Sequence, residues 1–131
     1  MLRINRSEQR LFLIQSLLKE YSADQRPEIP AEPLGQRALL RRLMNIRRPM
    51  AVGGDFLLVQ DAYLQGETEA KGITDAEDLT PMQPGLYLWQ GDITTLKCDA
   101  IVNAANSGMT GCYIPNHRCI DNAIHTYPHF K

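Results

Sequence analysis

A short connector rich in proline and glycine divides the chain into two parts with different patterns. Residues 81–85 read Pro-Met-Gln-Pro-Gly, and this composition excludes the interior of a helix or a strand. Before the connector, apolar residues recur at the three- and four-residue spacing of amphipathic helices. After it, short apolar runs alternate with turn-forming residues. The sequence therefore predicts a helical region over residues 1–84 and a region of different architecture over residues 85–131.

Three helices are predicted in the first region. The first begins at Ser7 as its N-cap, and the prolines of residues 27–33 are expected to end it. The second covers about residues 34–46 and the third about residues 55–71. Residues 73–79 are expected to form a loop or a single helical turn. Leucines of the second helix are predicted to face inward: Leu39, Leu40 and Leu43.

The second region is predicted to mix short strands with helical segments. Residues 86–89 indicate a short strand, and residues 100–102 indicate a more deeply buried one. Residues 91–94 lie between them and are expected to form a turn with some helical character. Residues 120–127 are expected to begin a helix. Alternation of this kind is typical of an α/β protein.

Charge and hydropathy argue against nucleic-acid and membrane binding. The chain has 14 Lys and Arg residues against 15 Asp and Glu, for a formal net charge of -1. No apolar run approaches the roughly 20 residues that span a bilayer, and the N-terminus lacks the apolar core of a signal peptide. We therefore expect a cytoplasmic protein. Five arginines cluster in residues 37–48, and a solvated helix face is favoured over an anion-binding patch: Arg37, Arg41, Arg42, Arg47 and Arg48.

A cysteine–histidine cluster is the strongest candidate site. Cys112, His117 and Cys119 lie within eight residues, and zinc prefers thiolate and imidazole ligands. Three protein ligands leave a fourth position open, as in catalytic zinc sites. The spacing matches no common zinc-finger pattern, so three unrelated loop side chains are the alternative. The odd number of cysteines argues against a disulfide framework, and Cys98 is interpreted as structural.

Two motifs rich in turn formers follow the predicted strands. They are Gly-Asp-Ile-Thr at residues 91–94 and Val-Asn-Ala-Ala-Asn-Ser-Gly at residues 102–108. Ligands of α/β sheets bind at the carboxyl ends of strands. Asparagines there can hydrogen-bond sugar hydroxyls, an aspartate can accept a hydrogen bond from an amino group, and small residues admit a bulky ligand. The alternative is that each motif is simply a turn.

Together these motifs resemble the macrodomain family in order and spacing. The resemblance reaches to about residue 127, and the loop of residues 111–119 is similar to that of the family's zinc-containing, sirtuin-associated microbial branch. In that branch, a ligand-bearing loop stands where other macrodomains have a glycine-rich run. The segments that carry the resemblance are residues 91–94, 99–106 and 120–125, with residues 43–47 and 58–64 resembling the branch's N-terminal extension.

The resemblance implies a fold, an activity and partners. The fold would be an N-terminal helical extension over residues 1–84, followed over residues 85–131 by the first half of a three-layer α/β/α macrodomain. The activity would be zinc-dependent hydrolysis of ADP-ribose from mono-ADP-ribosylated protein side chains. A sirtuin-type ADP-ribosyltransferase and a lipoylated carrier protein are the partners that this branch implies.

The resemblance also implies a role for each site residue. Asp92 would contact the adenine amino group, with the backbone of Ile93 beside it, and Asn103 would contribute to ADP-ribose binding. Asn106 and Asp121 would be the catalytic residues: Asn106 would hydrogen-bond the distal ribose, and Asp121 would orient or activate the attacking water. His125 is interpreted as packing or as support for Asp121. Zinc would be held by three ligands with its open position toward the distal ribose: Cys112, His117 and Cys119.

The resemblance further implies that the family's second half, with its second phosphate-binding loop, lies outside this sequence. Residues 128–131 depart from the family's continuation, and a fragment, a frameshifted product and an engineered truncation all fit this pattern. An apolar sheet edge is expected to be exposed. We expect weak or absent ADP-ribose binding and no efficient turnover by this chain alone. A binding module without hydrolysis and a small zinc-binding structural domain are the alternative functions.

Overall fold

The computed structural model describes residues 4–127, and within that range it contains four α-helices and a two-stranded parallel sheet. The helices are α1 (Arg6–Leu18), α2 (Pro33–Ile46), α3 (Gly54–Lys71) and α4 (Ile120–Thr126), and the strands are β1 (Thr74–Asp75) and β2 (Leu96–Lys97). Short 3-10 turns cover Ala23–Gln25, Ala76–Asp78 and Ile93–Thr95. The predicted extents of α2, α3 and α4 are confirmed to within one residue at each end.

The first helix has different ends from those predicted. Asn5, and not Ser7, is the N-cap: its side chain accepts a hydrogen bond from the Glu8 amide at 3.0 Å, and the Glu8 carboxylate accepts one from the Asn5 amide at 2.7 Å. This reciprocal pair is a capping box, which places Ser7 inside the first turn. The helix ends at Leu18, well before the prolines of residues 27–33, and a 3-10 turn leads into that segment.

The first three helices enclose the hydrophobic core. The predicted inward-facing residues of α2 are buried, which confirms that part of the sequence analysis. Burying one such side chain contributes roughly 1.5–3 kcal/mol. Nine apolar side chains form the core: Leu13, Ile14, Leu17 and Leu18 from α1, Leu39, Leu40 and Leu43 from α2, and Tyr63 and Leu64 from α3.

A buried polar pair joins α1 to α2 inside this bundle. Arg10 is only 2% exposed, and its Nε donates to Oε1 of Gln36 at 3.0 Å. The Gln36 amide in turn donates to the carbonyl of Pro30 at 2.9 Å. A buried polar group is tolerated when it is hydrogen-bonded, so this chain of contacts also fixes the proline-rich segment against α2.

The sheet is smaller than predicted. β1 and β2 pair in parallel with Thr74 opposite Leu96, which makes residues 73–79 a strand followed by one helical turn. The strands predicted at residues 86–89 and 100–102 are wrong. Leu88 is 79% exposed and Val102 is 93% exposed. A strand obtains its backbone hydrogen bonds from a neighbouring strand, and in residues 4–127 none lies alongside these segments.

The connector forms a tight turn and lies outside the helices and strands, and the second of these features is what the sequence predicts. An isolated antiparallel bridge pairs Gln83 with Leu86, and Gly85 has a positive φ of 76°. Helices with a small parallel sheet are consistent with the predicted α/β class. The prediction for residues 128–131 lies outside the described residues. Within the described range, no helix is both long and apolar enough to cross a membrane.

Candidate functional site

The three predicted metal ligands lie together at the start of α4. The ligand atoms of Cys112, His117 and Cys119 are all within 4.8 Å of one another, and Cys112 Sγ is 3.6 Å from His117 Nδ1. In a tetrahedral site with Zn–S bonds of about 2.3 Å and Zn–N bonds of about 2.1 Å, sulfur and nitrogen lie about 3.6 Å apart. The donor set and this spacing therefore fit a zinc ion.

Two residues with positive φ allow the loop to bring these ligands together. Asn116 has a φ of 55°, a left-handed conformation that asparagine adopts more readily than most residues, and it reverses the chain just before His117. Gly111 has a φ of 102°, and a Cβ added there would lie 3.0 Å from Cγ of His125. Both the backbone conformation and the close approach therefore require glycine at position 111.

The local contacts of the two cysteines favour metal binding. A backbone hydrogen bond at Ile114 lowers the pKa of the Cys112 thiol below its ordinary value, and this effect outweighs the opposing effect of burial. Cys119 is the N-cap of α4, where its Sγ accepts a hydrogen bond from the Asn122 amide at 3.3 Å. The thiolate is the form of cysteine that binds metals, so a lowered pKa at Cys112 favours the ligand form.

Asp121 is nearly buried, with 5% exposure, and two other side chains hold its carboxylate. Asn103 Nδ2 donates to Oδ1 of Asp121 at 2.9 Å, and Nδ1 of His125 lies 3.1 Å from the same oxygen. Among the described residues, none donates to Oδ1 of Asn103, which is buried. The structure therefore places Asn103, Asp121 and His125 in direct contact.

An open cavity of about 480 Å³ adjoins this group. A volume in this range is typical of small-molecule sites. Asn103 and His125 both line the cavity, so the side chains that hold Asp121 also face open space. The remaining lining residues are mostly small or apolar: Asp99, Ala100, Ile101, Ala105, Met109 and Ile124.

Asn106 is bonded to the loop that precedes the metal ligands. Its Nδ2 donates to the carbonyl of Gly111 at 2.9 Å, and its Oδ1 accepts from the Gly108 amide at 3.0 Å. Gly111 immediately precedes Cys112, so Asn106 lies next to the start of the loop of residues 112–119, which carries the three candidate metal ligands and is called the metal loop below. Asn106 therefore helps to fix the backbone of this loop, and its contact with a sugar stays a prediction.

Asp92 and Ile93 form the predicted turn of helical character, and in space this turn lies beside the C-terminal end of α3. Asp92 Oδ1 accepts from the amide and the hydroxyl of Thr94 at 2.9 and 2.7 Å, and Lys71 Nζ lies 3.6 Å from Oδ2. Burial raises the pKa of Asp92, but the hydrogen bonds from Thr94 and the charge of Lys71 together lower it below its ordinary value. The same Lys71 ammonium lies 3.8 Å from the centre of the Tyr127 ring, which connects this turn to the end of α4.

Two features of the site were missed in the sequence. Asn122 is 0% exposed and contacts the metal loop, although it is simply the neighbour of Asp121 in the sequence. Arg41 contacts the same loop, although it was interpreted as part of a solvated face. Four members of that arginine cluster contact other parts of the chain: Arg37 with Glu67, Arg41 with Asn122, Arg47 with Glu20 and Arg48 with the Tyr113 ring.

No protein-family model matches the chain, but comparison with curated proteins finds similar ones. The chain is 50% identical over 128 residues to a protein-ADP-ribose hydrolase of Treponema medium, covering 95% of this chain and 49% of that protein. It is 43% identical over 116 residues to a protein-ADP-ribose hydrolase of Staphylococcus aureus strain MRSA252, covering 88% and 43% of the two chains.

A third relative has two activities in its name. It is a probable bifunctional ADP-ribose hydrolase/ADP-ribosyltransferase of Fusarium oxysporum f. sp. cubense, 39% identical over 105 residues, which are 72% of this chain and 18% of that protein. The chain spans about half the length of the first two relatives. These similarities support the assignment of the chain to a hydrolase family.

Proposed function

Starting from these relatives, we propose that the chain is part of a protein-ADP-ribose hydrolase that removes ADP-ribose from mono-ADP-ribosylated protein side chains. The observation that carries this proposal is the 50% identity to the Treponema medium hydrolase. That match covers 95% of the chain and so takes in every predicted site residue. The resemblance of the motifs to macrodomains supports the finer assignment to the zinc-containing branch of that family.

Zinc is the proposed cofactor, held by Cys112, His117 and Cys119. The fit of the donor set and the 3.6 Å sulfur–nitrogen spacing supports this choice. When bound, the ion would supply Lewis acidity and would lower the pKa of a bound water. A cytoplasmic location is part of the proposal, because a reducing compartment keeps such thiols free to bind metal.

Asp121 is the proposed acceptor of a proton from the attacking water. A general base has to be held in a fixed position: Asn103 donates a hydrogen bond to this carboxylate, and the His125 ring lies 3.1 Å from the same oxygen. Asn103 lines the cavity beside Asp121 and is the proposed contact to a ribose hydroxyl. Asn106 is the proposed contact to the distal ribose, beside the Gly111 carbonyl that it binds.

Asp92 and Ile93 are the proposed adenine contacts. The Asp92 carboxylate is favoured in its charged form, which is the form that accepts a hydrogen bond from an amino group.

Turnover is proposed for a protein of the relatives' length, because this chain spans about half of it. For the 131 residues alone we propose weak ADP-ribose binding, and micromolar affinity in calorimetry would contradict that.

The proposed macromolecular substrate is a mono-ADP-ribosylated protein. The name of the Fusarium relative joins an ADP-ribose hydrolase to an ADP-ribosyltransferase, and this supports a transferase as a functional partner. The sirtuin type of that transferase and the lipoylated carrier protein are supported by the motif resemblance alone.

A release assay tests the function. The chain is incubated with a mono-ADP-ribosylated protein, and the released ADP-ribose is compared for wild type, Asp121→Ala and Cys119→Ala, with the exposed Arg42→Ala as control. We expect slow release by wild type and Arg42→Ala, and loss of release in both site variants. We also expect zinc in wild-type protein purified without chelator and less zinc in Cys119→Ala.

Three outcomes would contradict the proposal or a part of it. A protein of the relatives' length that contains this chain, binds ADP-ribose and releases it from a modified protein only at the background rate would be a binding module and not a hydrolase. Equal release by wild type and Asp121→Ala would remove Asp121 from the reaction. Protein purified without chelator that contains no zinc would contradict the metal-dependent version.

A further inference from the structure

The side chain of Asn122 is at the centre of the metal loop. It is 0% exposed, and its Nδ2 donates to the carbonyl of Ile114 at 3.0 Å and to that of Cys112 at 3.5 Å. The backbone amide of the same residue donates to Cys119 Sγ at 3.3 Å. A single buried residue therefore contacts the main chain of one cysteine ligand and the sulfur of the other.

Arg41 of α2 completes this arrangement from the helical region. Its Nε and Nη2 both donate to Oδ1 of Asn122, at 3.2 and 2.9 Å, and Nη2 also donates to the carbonyl of His117 at 3.2 Å. Two donors on one guanidinium plane fix both the position and the orientation of the amide. Together, Arg41 and Asn122 contact all three residues of the ligand set.

A second residue of α2 holds the same loop. Asn45 lies one helical turn after Arg41, and its Oδ1 accepts from the amide of Asn116, the residue just before His117, at 3.1 Å. Its Nδ2 donates to Oγ1 of Thr126 on α4 at 3.2 Å. The face of α2 that carries Arg41 and Asn45 therefore lies against both the loop and the helix that follows it.

From these contacts we infer that Arg41 and Asn122 are positioning residues that hold Cys112, His117 and Cys119 in the arrangement that binds the metal. The inference rests on the proposed zinc site and assigns a role to residues outside the ligand set. Without these bonds, the loop would have to be ordered at the moment of metal binding, at a cost in conformational entropy. Groups that orient metal ligands in this way typically change metal affinity by about 10–100-fold.

Zinc affinity of the intact chain, measured by competition with a chromophoric chelator, tests this inference. Arg41→Met keeps the apolar stem and removes the guanidinium, whereas Arg42→Met removes the neighbouring exposed guanidinium and is the matched control. We expect Arg41→Met to bind zinc about 10–100-fold more weakly than Arg42→Met. Arg41→Lys keeps the charge but not the paired donors, so its affinity should lie between the two.

Asn122→Asp provides a second, independent variant. It keeps the shape of the side chain and an acceptor for Arg41, but it loses the amide donor to the carbonyls of Ile114 and Cys112. We expect zinc affinity to fall by a similar factor and the d–d absorption spectrum of the cobalt-substituted protein to change. Helix content in excess chelator should match that of Arg42→Met, which separates a positioning role from a general loss of structure.

The outcomes separate this inference from the function on which it rests. A folded Arg41→Met or Asn122→Asp protein with the zinc affinity and cobalt spectrum of Arg42→Met would overturn the positioning role alone. A wild-type chain that binds no zinc would overturn both the positioning role and the metal part of the proposed function.

Discussion

Asp92 and Asp121 are both carboxylates of the candidate site, but their surroundings differ. The Asp92 side chain is half exposed, and it is bound to Thr94 and Lys71 at the end of α3. Asp121 is almost entirely buried and is bound to Asn103 and His125 beside an open cavity. The first arrangement suits a charged hydrogen-bond acceptor on a surface, and the second suits a carboxylate that acts on a single water.

The charge of Asp92 predicts a pH-dependent stability. Because the folded pKa lies below the ordinary value, the charge stabilises the fold above about pH 3.9, and this contribution is lost as the pH falls through the folded pKa. Asp92→Asn keeps the side-chain cap and removes the charge. Because the Asp92 side chain is half exposed, we expect the free energy of unfolding of Asp92→Asn, measured in urea at pH 7, to be lower than that of wild type by less than about 1 kcal/mol.

The same measurement near pH 3 should show that difference shrinking. Glu28→Gln, at an exposed position in the proline-rich segment, is the control and should change stability little at either pH. A difference in the free energy of unfolding between wild type and Asp92→Asn that grows as the pH falls would contradict a lowered pKa of Asp92.

At the scale of elements, the helices follow their sequence signals and the strands do not. The extents of α2 and α3 follow from apolar spacing, because a helix satisfies its backbone hydrogen bonds within one segment. A strand depends on a partner elsewhere in the chain, and residues 86–89 and 100–102 have none among residues 4–127. The pairing of β1 with β2 could not be predicted for another reason: strands of two residues are too short to show an alternation of apolar and polar residues.

The capping box of α1 gives a prediction at this scale. Asn5→Ala removes the acceptor for the Glu8 amide and leaves that donor without its partner in the first turn. We expect a loss of about 0.5–2 kcal/mol in the free energy of unfolding, measured by chemical denaturation. Gln15→Ala, at an exposed position inside the same helix, is the control and should be neutral or slightly stabilising. Equal free energies of unfolding for Asn5→Ala and Gln15→Ala would argue against a stabilising capping box.

At the scale of the whole molecule, the candidate site joins parts that are distant in sequence. The grouping of Cys112, His117 and Cys119 could be predicted because they are close neighbours in one loop, and the structure brings their ligand atoms within 4.8 Å of one another. Zinc binding by these residues stays a prediction that rests on the ligand preferences of zinc. The roles of Arg41 and Asn122 could not, because no local pattern relates two residues 81 positions apart. The arginine was visible as one of a cluster, but only the packing of α2 on α4 shows what it contacts.

The exposed apolar residues of the second region predict self-association. The stretch from Met82 to Met109 contains large apolar side chains that are mostly exposed, Leu88 and Val102 most of all. Apolar groups exposed in this way favour contact between molecules. We expect sedimentation of wild type to show a mass that rises with concentration, and the Leu88→Ser/Val102→Ser double variant to show less of this rise with an unchanged unfolding midpoint. A wild-type chain that stays monomeric at every concentration would contradict this.

The bonds from Arg41 to the metal loop have a consequence for the order of events during folding. The helices of the first region form their core from residues close in sequence, and they leave the ribosome before residues 112–119 are made. The loop can close only onto a surface of α2 that is already in place, because ordering it earlier would cost entropy without the bonds that compensate. At the proposed zinc site, the metal ion would therefore bind only after the helical region has folded.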